Sequence, residues 1–151
     1  MSCTNYRIIE MQNTGMGAVA SGALMPLGSI TRRIATTTGS GVPFQVTHSG
    51  SDTIQITSKG YYKVEYNATL TAGGAGDITL VLLANGTPVY SITHHVTAAG
   101  NYNLHFAKEV RVFANCPACS TNCPMDIQVQ NAGIAVTGGT SNIIVDSCVN
   151  G

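Results

Sequence analysis

The fold is decided by the stretch Lys59–Thr69, which reads KGYYKVEYNAT. Aromatic or apolar residues occupy every second position from residue 62 to residue 68, and polar residues stand between them. Because successive side chains of a β-strand point to opposite faces of a sheet, this alternation predicts a long strand over Tyr61–Thr71 with one buried face. The residues expected on that face are Tyr62, Val64, Tyr66 and Ala68.

A hairpin is predicted shortly after this strand. Two apolar runs, Ile78–Leu83 and Val89–Val96, flank residues 84–87, which read ANGT. Asn-Gly between apolar runs is the strongest short hairpin signal, because both residues tolerate the positive φ angles of a two-residue turn. We therefore expect a tight turn at Asn85 and Gly86. Within the second run, His94 and His95 are adjacent and are expected to face opposite sides of the sheet.

Short alternating runs separated by turn residues continue along the rest of the chain, and none has the period of an amphipathic helix. Many short strands with frequent turns are typical of a β-sandwich or barrel. In the run that starts at Tyr102, the residues expected to be buried are Leu104, Phe106 and Ala107. The further predicted strands are Tyr6–Met11, Ser29–Ala35, Phe44–Val46, Thr53–Thr57, Tyr102–Phe113, Asp126–Gln130, Ile134–Val136 and Asn142–Val145.

The first 24 residues are the least regular part of the chain. They contain one strand-like piece followed by a Gly- and Ala-rich segment. This pattern predicts an N-terminal arm over residues 1–24 and a single domain over residues 25–151.

The charge content excludes several classes of protein. Charged residues make up 9% of the 151 residues, against roughly 25% in an average globular domain. Zero formal net charge argues against a nucleic-acid-binding protein, because affinity for phosphate comes mainly from clustered Lys and Arg. No apolar run approaches the roughly 20 residues of a membrane span. A surface so poor in charge favours an assembly whose subunits cover one another.

The strand Lys59–Thr69 and the hairpin segment Leu82–Val89 (LLANGTPV) together resemble the tumour-necrosis-factor-like and C1q-like jelly rolls. The segments Pro26–Ile30 and Val42–Phe44 also resemble the first strands of that family. The resemblance covers roughly residues 25 to 147. It implies an all-β fold, a two-sheet antiparallel jelly-roll sandwich that assembles as a homotrimer.

The function that the resemblance implies is structural. We expect a non-enzymatic phage virion component, a capsid decoration or head-fibre protein, attached to capsid or other virion proteins through residues 1–24. Such a chain is made in the cytoplasm without a signal peptide and is exposed on the virion or outside the cell after assembly. The alternative is a C1q- or lectin-like module that recognises a host-surface or glycan ligand through apical loops. The seven carboxylates are scattered singly, so no catalytic acid–base pair is indicated.

Five cysteines are the residues with the most distinctive spacing. Cys116, Cys119 and Cys123 form a Cys-x2-Cys-x3-Cys pattern, and thiolates on a tight turn can converge on zinc, with Cys148 or a histidine as the candidate fourth ligand. A local disulfide such as Cys116–Cys123, or free thiols, fits the same spacing, and these alternatives remain open. The jelly-roll resemblance places the chain ends on neighbouring strands, which makes Cys3 and Cys148 a second candidate pair.

Overall fold

Two antiparallel β-sheets pack face to face in a computed structural model of the protein. The structure describes residues 5–35, 44–47, 52–57, 59–112 and 125–149. These residues form eleven strands, and none of them forms a helix that could span a membrane. The strands are β1 (Asn5–Asn13), β2 (Gly17–Val19), β3 (Ser29–Ala35), β4 (Phe44–Thr47), β5 (Thr53–Ile56), β6 (Gly60–Ala72), β7 (Gly76–Ala84), β8 (Thr87–Val96), β9 (Gly100–Val112), β10 (Met125–Asn131) and β11 (Val136–Val149).

Each sheet contains a row of five paired strands, named here in order from one edge of the sheet to the other. The first sheet runs β3-β1-β11-β6-β9, with β2 also paired to β11, and the second runs β4-β5-β10-β7-β8. In each sheet we call the side turned away from the other sheet its outer face. The expected all-β, two-sheet architecture is therefore confirmed.

The long strand β6 lies inside the first sheet and buries the expected face. Tyr62, Val64 and Tyr66 have no exposed surface, and Ala68 is only 1% exposed. The Tyr66 ring packs against Phe106 of β9, with 5.7 Å between the ring centroids. The core lies between the sheets; its fully buried members include Ile9, Met11, Met25, Leu27, Ile54, Ile56, Leu70, Leu80 and Val129.

The predicted hairpin joins β7 to β8. Asn85 has a φ of 51° and Gly86 a φ of 78°, as a two-residue turn of mirror-image type requires. The turn is tied to β10, because the Asn85 N–H donates to the carbonyl oxygen of Asp126 at 2.9 Å and the Asp126 N–H donates to Asn85 Oδ1 at 2.7 Å. The hairpin is confirmed, and its Asn side chain also anchors a neighbouring strand.

The predicted N-terminal arm is wrong for the residues that the structure describes. β1 lies between β3 and β11 in the first sheet, and the side chains of Ile9 and Met11 are fully buried. Beyond β1, Met16 and Val19 are also buried. This segment cannot be a free arm, because its apolar side chains form part of the core, β1 pairs with a strand on each side, and β2 pairs with β11.

Two smaller expectations are also corrected. Ile134–Val136 and Asn142–Val145 were predicted as separate strands, but β11 begins only at Val136, the last residue of the first region, and runs through the whole of the second, with a register shift between Gly138 and Ser141. In β9, Leu104 and Phe106 are buried as predicted, whereas Ala107 is exposed because it lies on the outer face. The short strand β2 was not predicted at all.

The segment after β2 crosses from the first sheet to the second. Met25 donates its N–H to the carbonyl of Val129 at 2.7 Å, and the N–H of Gly22 donates to the carbonyl of Asn131 at 2.6 Å. Asn131 itself is fully buried at this crossing. Its Nδ2 lies 3.2, 3.3 and 2.9 Å from the carbonyl oxygens of Val19, Ala20 and Ile134, and its Oδ1 accepts from the N–H of Gly133 at 3.1 Å.

Candidate functional site

Most of the predicted cysteine site lies outside the described residues. This holds for Cys3, Cys116, Cys119 and Cys123, whereas the backbone of Cys148 is paired with Tyr6 across β1 and β11. The strands that carry the two chain ends are neighbours, as the resemblance implied. Zinc binding and both disulfides stay predictions. Among the described residues, no three His, Cys, Asp or Glu side chains form a metal-binding group.

The two histidines of β8 make separate contacts. His94 and His95 lie on opposite sides of β8: His94 packs on the Tyr102 ring at 5.2 Å, and His95 Nδ1 lies 2.6 Å from Asp77 Oδ1. The His95–Asp77 pair is mostly exposed to solvent, with 82% and 55% of the two side chains accessible. Exposed pairs of this kind contribute little to stability. Neither contact places a third functional group beside a histidine.

Charged side chains pair across the outer face of the first sheet. Arg32 Nε lies 3.8 Å from Glu10 Oε1, and Lys63 Nζ lies 2.7 Å from Glu65 Oε1. Asn142 Nδ2 donates to the other oxygen of Glu10 at 2.9 Å. The side chain of Arg32, the first arginine of an Arg-Arg doublet, is therefore engaged in an ion pair on this face.

Asp146 is the carboxylate on this face with the least favourable surroundings. Its Oδ1 is buried and has no hydrogen-bond partner among the described residues. Burial and, secondarily, the nearby charge of Glu65 raise the pKa of Asp146, and Lys63 partly offsets this. The folded chain therefore binds a proton here more readily than the unfolded chain, so the free energy of unfolding falls as pH rises through the raised pKa.

Asp146→Asn is expected to stabilise the protein at pH 7, because the ionised carboxylate that it removes is unfavourable there. Lys63 keeps its partner Glu65 in the variant. Urea unfolding at pH 7 and at pH 3 should show a gain for the variant at pH 7 that shrinks at pH 3, below the ordinary carboxyl pKa of 3.8. A variant that is less stable than wild type at pH 7 would contradict this reading.

A groove lined by polar residue types lies on the same face, next to the charged pairs. We call it the polar groove; it has a volume of about 280 Å³, and every residue that lines it carries an amide or a hydroxyl. It forms where β1 ends at Asn13 and where the register of β11 shifts between Gly138 and Ser141, since both interrupt the flat surface of the sheet. Its lining includes Gln12, Asn67, Thr69, Asn103, Thr140 and Asn142.

The edge formed by β8 and β9 carries exposed apolar and aromatic side chains, and we call it the open edge. Tyr90 is 39% exposed although its ring packs on Phe106 at 5.7 Å. Ile92 and Tyr102 are also only partly covered. β8 contains no charged Lys, Arg, Asp or Glu. Charged side chains, prolines or bulges usually prevent an edge strand from pairing with another chain. Here Pro88 and a bulge protect only the first residues of β8.

A second exposed apolar patch lies on the opposite edge of the sandwich. Ile30 and Ile34 of β3 are 40% and 41% exposed, and β3 is the edge strand of the first sheet farthest from β9. Large exposed apolar groups at two opposite edges are typical of subunit contacts rather than of a catalytic cleft. The geometry thus points to assembly.

Comparisons with known proteins bear on the fold. No family model and no curated protein matches the sequence. Among the solved structures that match, Eiger TNF from S. frugiperda has a TM-score of 0.68 at 11% identity, with 99% of this chain and 96% of that chain covered. The globular domain of the zebrafish complement 1qA protein has a TM-score of 0.63 at 8% identity and coverages of 95% and 98%. Murine APRIL has a TM-score of 0.62 at 8% identity, with coverages of 92% and 98%.

The fold is a TNF/C1q-like jelly roll. The resemblance found in the sequence is confirmed at the level of fold. Identities of 8% and 11% support no conclusion beyond the fold.

Sequence reasoning did not locate the open edge or the polar groove of this jelly roll. The open edge depends on which strands end the sheets, and the polar groove depends on a register shift in β11. One signal was readable: Asn67, Asn103 and Asn142 occupy outward positions of three predicted strands. Their convergence follows from the order of the strands, which the local pattern does not contain.

Proposed function

We propose that this jelly roll is a non-enzymatic structural protein that assembles as a homotrimer and serves as a phage virion component, as a capsid decoration or head-fibre protein. The trimeric state comes from the resemblance to the TNF- and C1q-like proteins. The virion setting rests on that resemblance and on a chain with 9% charged residues and no net charge. Since residues 5–13 form part of a sheet, the proposal no longer includes attachment through a free arm.

The observation that carries the proposal is the position of the exposed apolar groups. The open edge, with Tyr90, lies on one side of the sandwich, and Ile30 and Ile34 lie on the other. Two different patches on opposite sides permit a head-to-tail contact, and such contacts close into a ring when the rotation between copies allows it. The open edge of one copy is thereby covered by the β3 patch of the next.

The loop-based alternative, a module that recognises a host-surface or glycan ligand, receives less support. The turn between β6 and β7 reads GGA, and the turn between β8 and β9 reads TAA. Anchors of binding surfaces are usually large aromatic side chains or Arg, and these turns carry neither.

Sedimentation velocity tests the proposed assembly. Wild type is expected to sediment with three times the 15.6 kDa chain mass at micromolar concentration. Tyr90→Asp and Ile34→Asp each place an uncompensated charge in the contact, at a cost on the order of 3 kcal/mol, so each should weaken association roughly a hundredfold. Thr93→Asp is the matched control, because Thr93 lies on β8 but bonds to Thr79 across the outer face of the second sheet.

A monomeric wild type would refute the homotrimer. A trimer that survives both Tyr90→Asp and Ile34→Asp, with folding verified by circular dichroism, would refute these edges as the contact. The virion setting is tested separately by antibody labelling of particles from the source that encodes the chain, where the absence of label on intact capsids would count against it.

A further inference from the structure

The polar groove contains hydrogen-bonding groups that the protein itself does not use. Within the described part of the chain, the side chains of Gln12, Asn67, Thr69 and Asn103 make no hydrogen bond and are exposed. Elsewhere on the same face, polar side chains do pair: Thr71 Oγ1 donates to Asn101 Oδ1 at 2.6 Å. The groove therefore presents a concentrated set of unused donors and acceptors in a concave surface.

The chemistry of the lining restricts what can bind there. No Lys or Arg lines the groove, so it offers no countercharge to a phosphate or carboxylate. No carboxylate lines it either, so it lacks the ligands that a hard cation prefers. Aliphatic and aromatic side chains are also absent from the lining, which disfavours an apolar ligand.

A neutral molecule with many hydroxyl groups matches this lining. An amide side chain offers two N–H donors and a carbonyl acceptor, and a sugar hydroxyl both donates and accepts, so each can satisfy the other. The volume of about 280 Å³ lies near the lower end of ligand pockets, at roughly 300 Å³, and suits a single sugar residue. We propose that the polar groove is a binding site for a neutral carbohydrate, a role beyond the structural function proposed above.

A second copy of the chain fits the groove less well. The exposed apolar groups that favour self-association lie on the two edges, and none of them lines the groove. The proposal therefore does not depend on the oligomeric state, and its test can fail while the homotrimer stands.

NMR titration of the full-length ¹⁵N-labelled protein tests the proposal, because the side-chain NH₂ groups of Gln12, Asn67 and Asn103 give their own signals. The probes are glucose, galactose and N-acetylglucosamine. A shallow site without aromatic stacking should bind with a Kd on the order of millimolar, so each titration extends to tens of millimolar. At least one sugar is expected to shift these signals in a saturable way, and inorganic phosphate is not.

Matched variants localise the effect. Asn67→Ala combined with Asn103→Ala should weaken binding of the active sugar by about tenfold or more, since it removes two unused amides from the groove. Asn101→Ala is the control, because Asn101 lies on the same strand as Asn103 but outside the groove lining, where it bonds to Thr71. It should leave the affinity unchanged.

Three results would overturn the proposal. The first is the absence of a saturable shift with all three sugars. The second is an equal shift with glycerol at the same hydroxyl concentration, which would mean a nonspecific polyol effect. The third is a fall in sedimenting mass for the Asn67→Ala, Asn103→Ala variant with no sugar effect in wild type, which would make the groove a subunit contact.

Discussion

Gly28→Ala is expected to lower the free energy of unfolding by about 3 kcal/mol or more. Gly28 has a φ of +89°, a conformation that costs an L-residue about 1–2 kcal/mol. An added Cβ would overlap the carbonyl oxygen of Gln12 and stand 2.7 Å from its carbonyl carbon and 2.9 Å from the Cα of Asn13. These are backbone atoms that cannot rotate away, so overpacking adds about 1–3 kcal/mol. Relief requires β3 to move off β1, because Ser29 pairs with Gln12 directly beside the clash.

Comparison with Gly22→Ala separates the energetic cost of the positive φ angle from the cost of the steric clash at Gly28. Gly22 has nearly the same φ, +88°, but an added Cβ would meet no atom within 4 Å. Its replacement should cost only about 1 kcal/mol. Urea unfolding of both variants at one protein concentration measures the difference, since association would otherwise change the apparent stability. Equal losses for the two variants would show that the contact with β1 does not matter.

Asn131→Ala is expected to cost about 3–4 kcal/mol. The substitution leaves buried backbone groups without the partner that the amide supplies, namely the carbonyls of Val19, Ala20 and Ile134 and the N–H of Gly133. Each unsatisfied buried group costs about 1–3 kcal/mol, and water reaching the cavity recovers part of that. The free energy of unfolding from urea denaturation checks the value.

Asn131→Asp tests whether the N–H groups of Asn131 Nδ2 are needed for stability. Aspartate keeps an acceptor for Gly133 but directs a carboxylate oxygen at carbonyl oxygens, so it should not restore stability. Gln130→Ala is the control, since Gln130 is the next residue along β10 and donates one exposed hydrogen bond to Gly22, at 3.0 Å. Its loss should cost less than about 1 kcal/mol. A stable Asn131→Asp protein would indicate that Asn131 does not hold the crossing segment through its Nδ2.

The sequence correctly predicted those strands and turns that depend only on residues close together in the chain. The alternation around Tyr66 and the turn at Asn85 and Gly86 depend on side-chain period and φ preference, which neighbouring residues determine. Most predicted strands agree with the structure to within two residues at each end. The resemblance carried by Lys59–Thr69 and Leu82–Val89 then supplied the two-sheet arrangement.

The failures over residues 1–24 involve pairing between distant parts of the chain. The segment Gly15–Gly22 has the composition of a linker, yet Met16 packs beside Tyr66, 4.0 Å from its hydroxyl, and Gly22 bonds to Asn131. β2 is only three residues long and exists because it pairs with β11. No local pattern contains that partner.

The candidate sites were predictable to different degrees. Cysteine spacing identified a candidate site by chemistry, but three of its members lie in residues 113–124, beyond the part that the structure describes. The polar groove could not be located in advance, because it needs Gln12, Asn67 and Asn103 brought side by side from three strands. Such sites follow from strand order and register, and amides alone are too common in turns and strand faces to indicate them.

The position of β11 between β1 and β6 affects how the protein must be made. At roughly 5–20 residues per second, a ribosome needs about 6 to 25 seconds to add the residues between the end of β1 and the start of β11. Throughout that time β1 lacks its neighbour on one side, and β6 lacks the same neighbour from the moment it is synthesised, so their unpaired edges are open to other nascent chains. The first sheet can close only after synthesis of β11, so slow translation or high expression should favour aggregation, and chaperones or low temperature should favour the soluble protein.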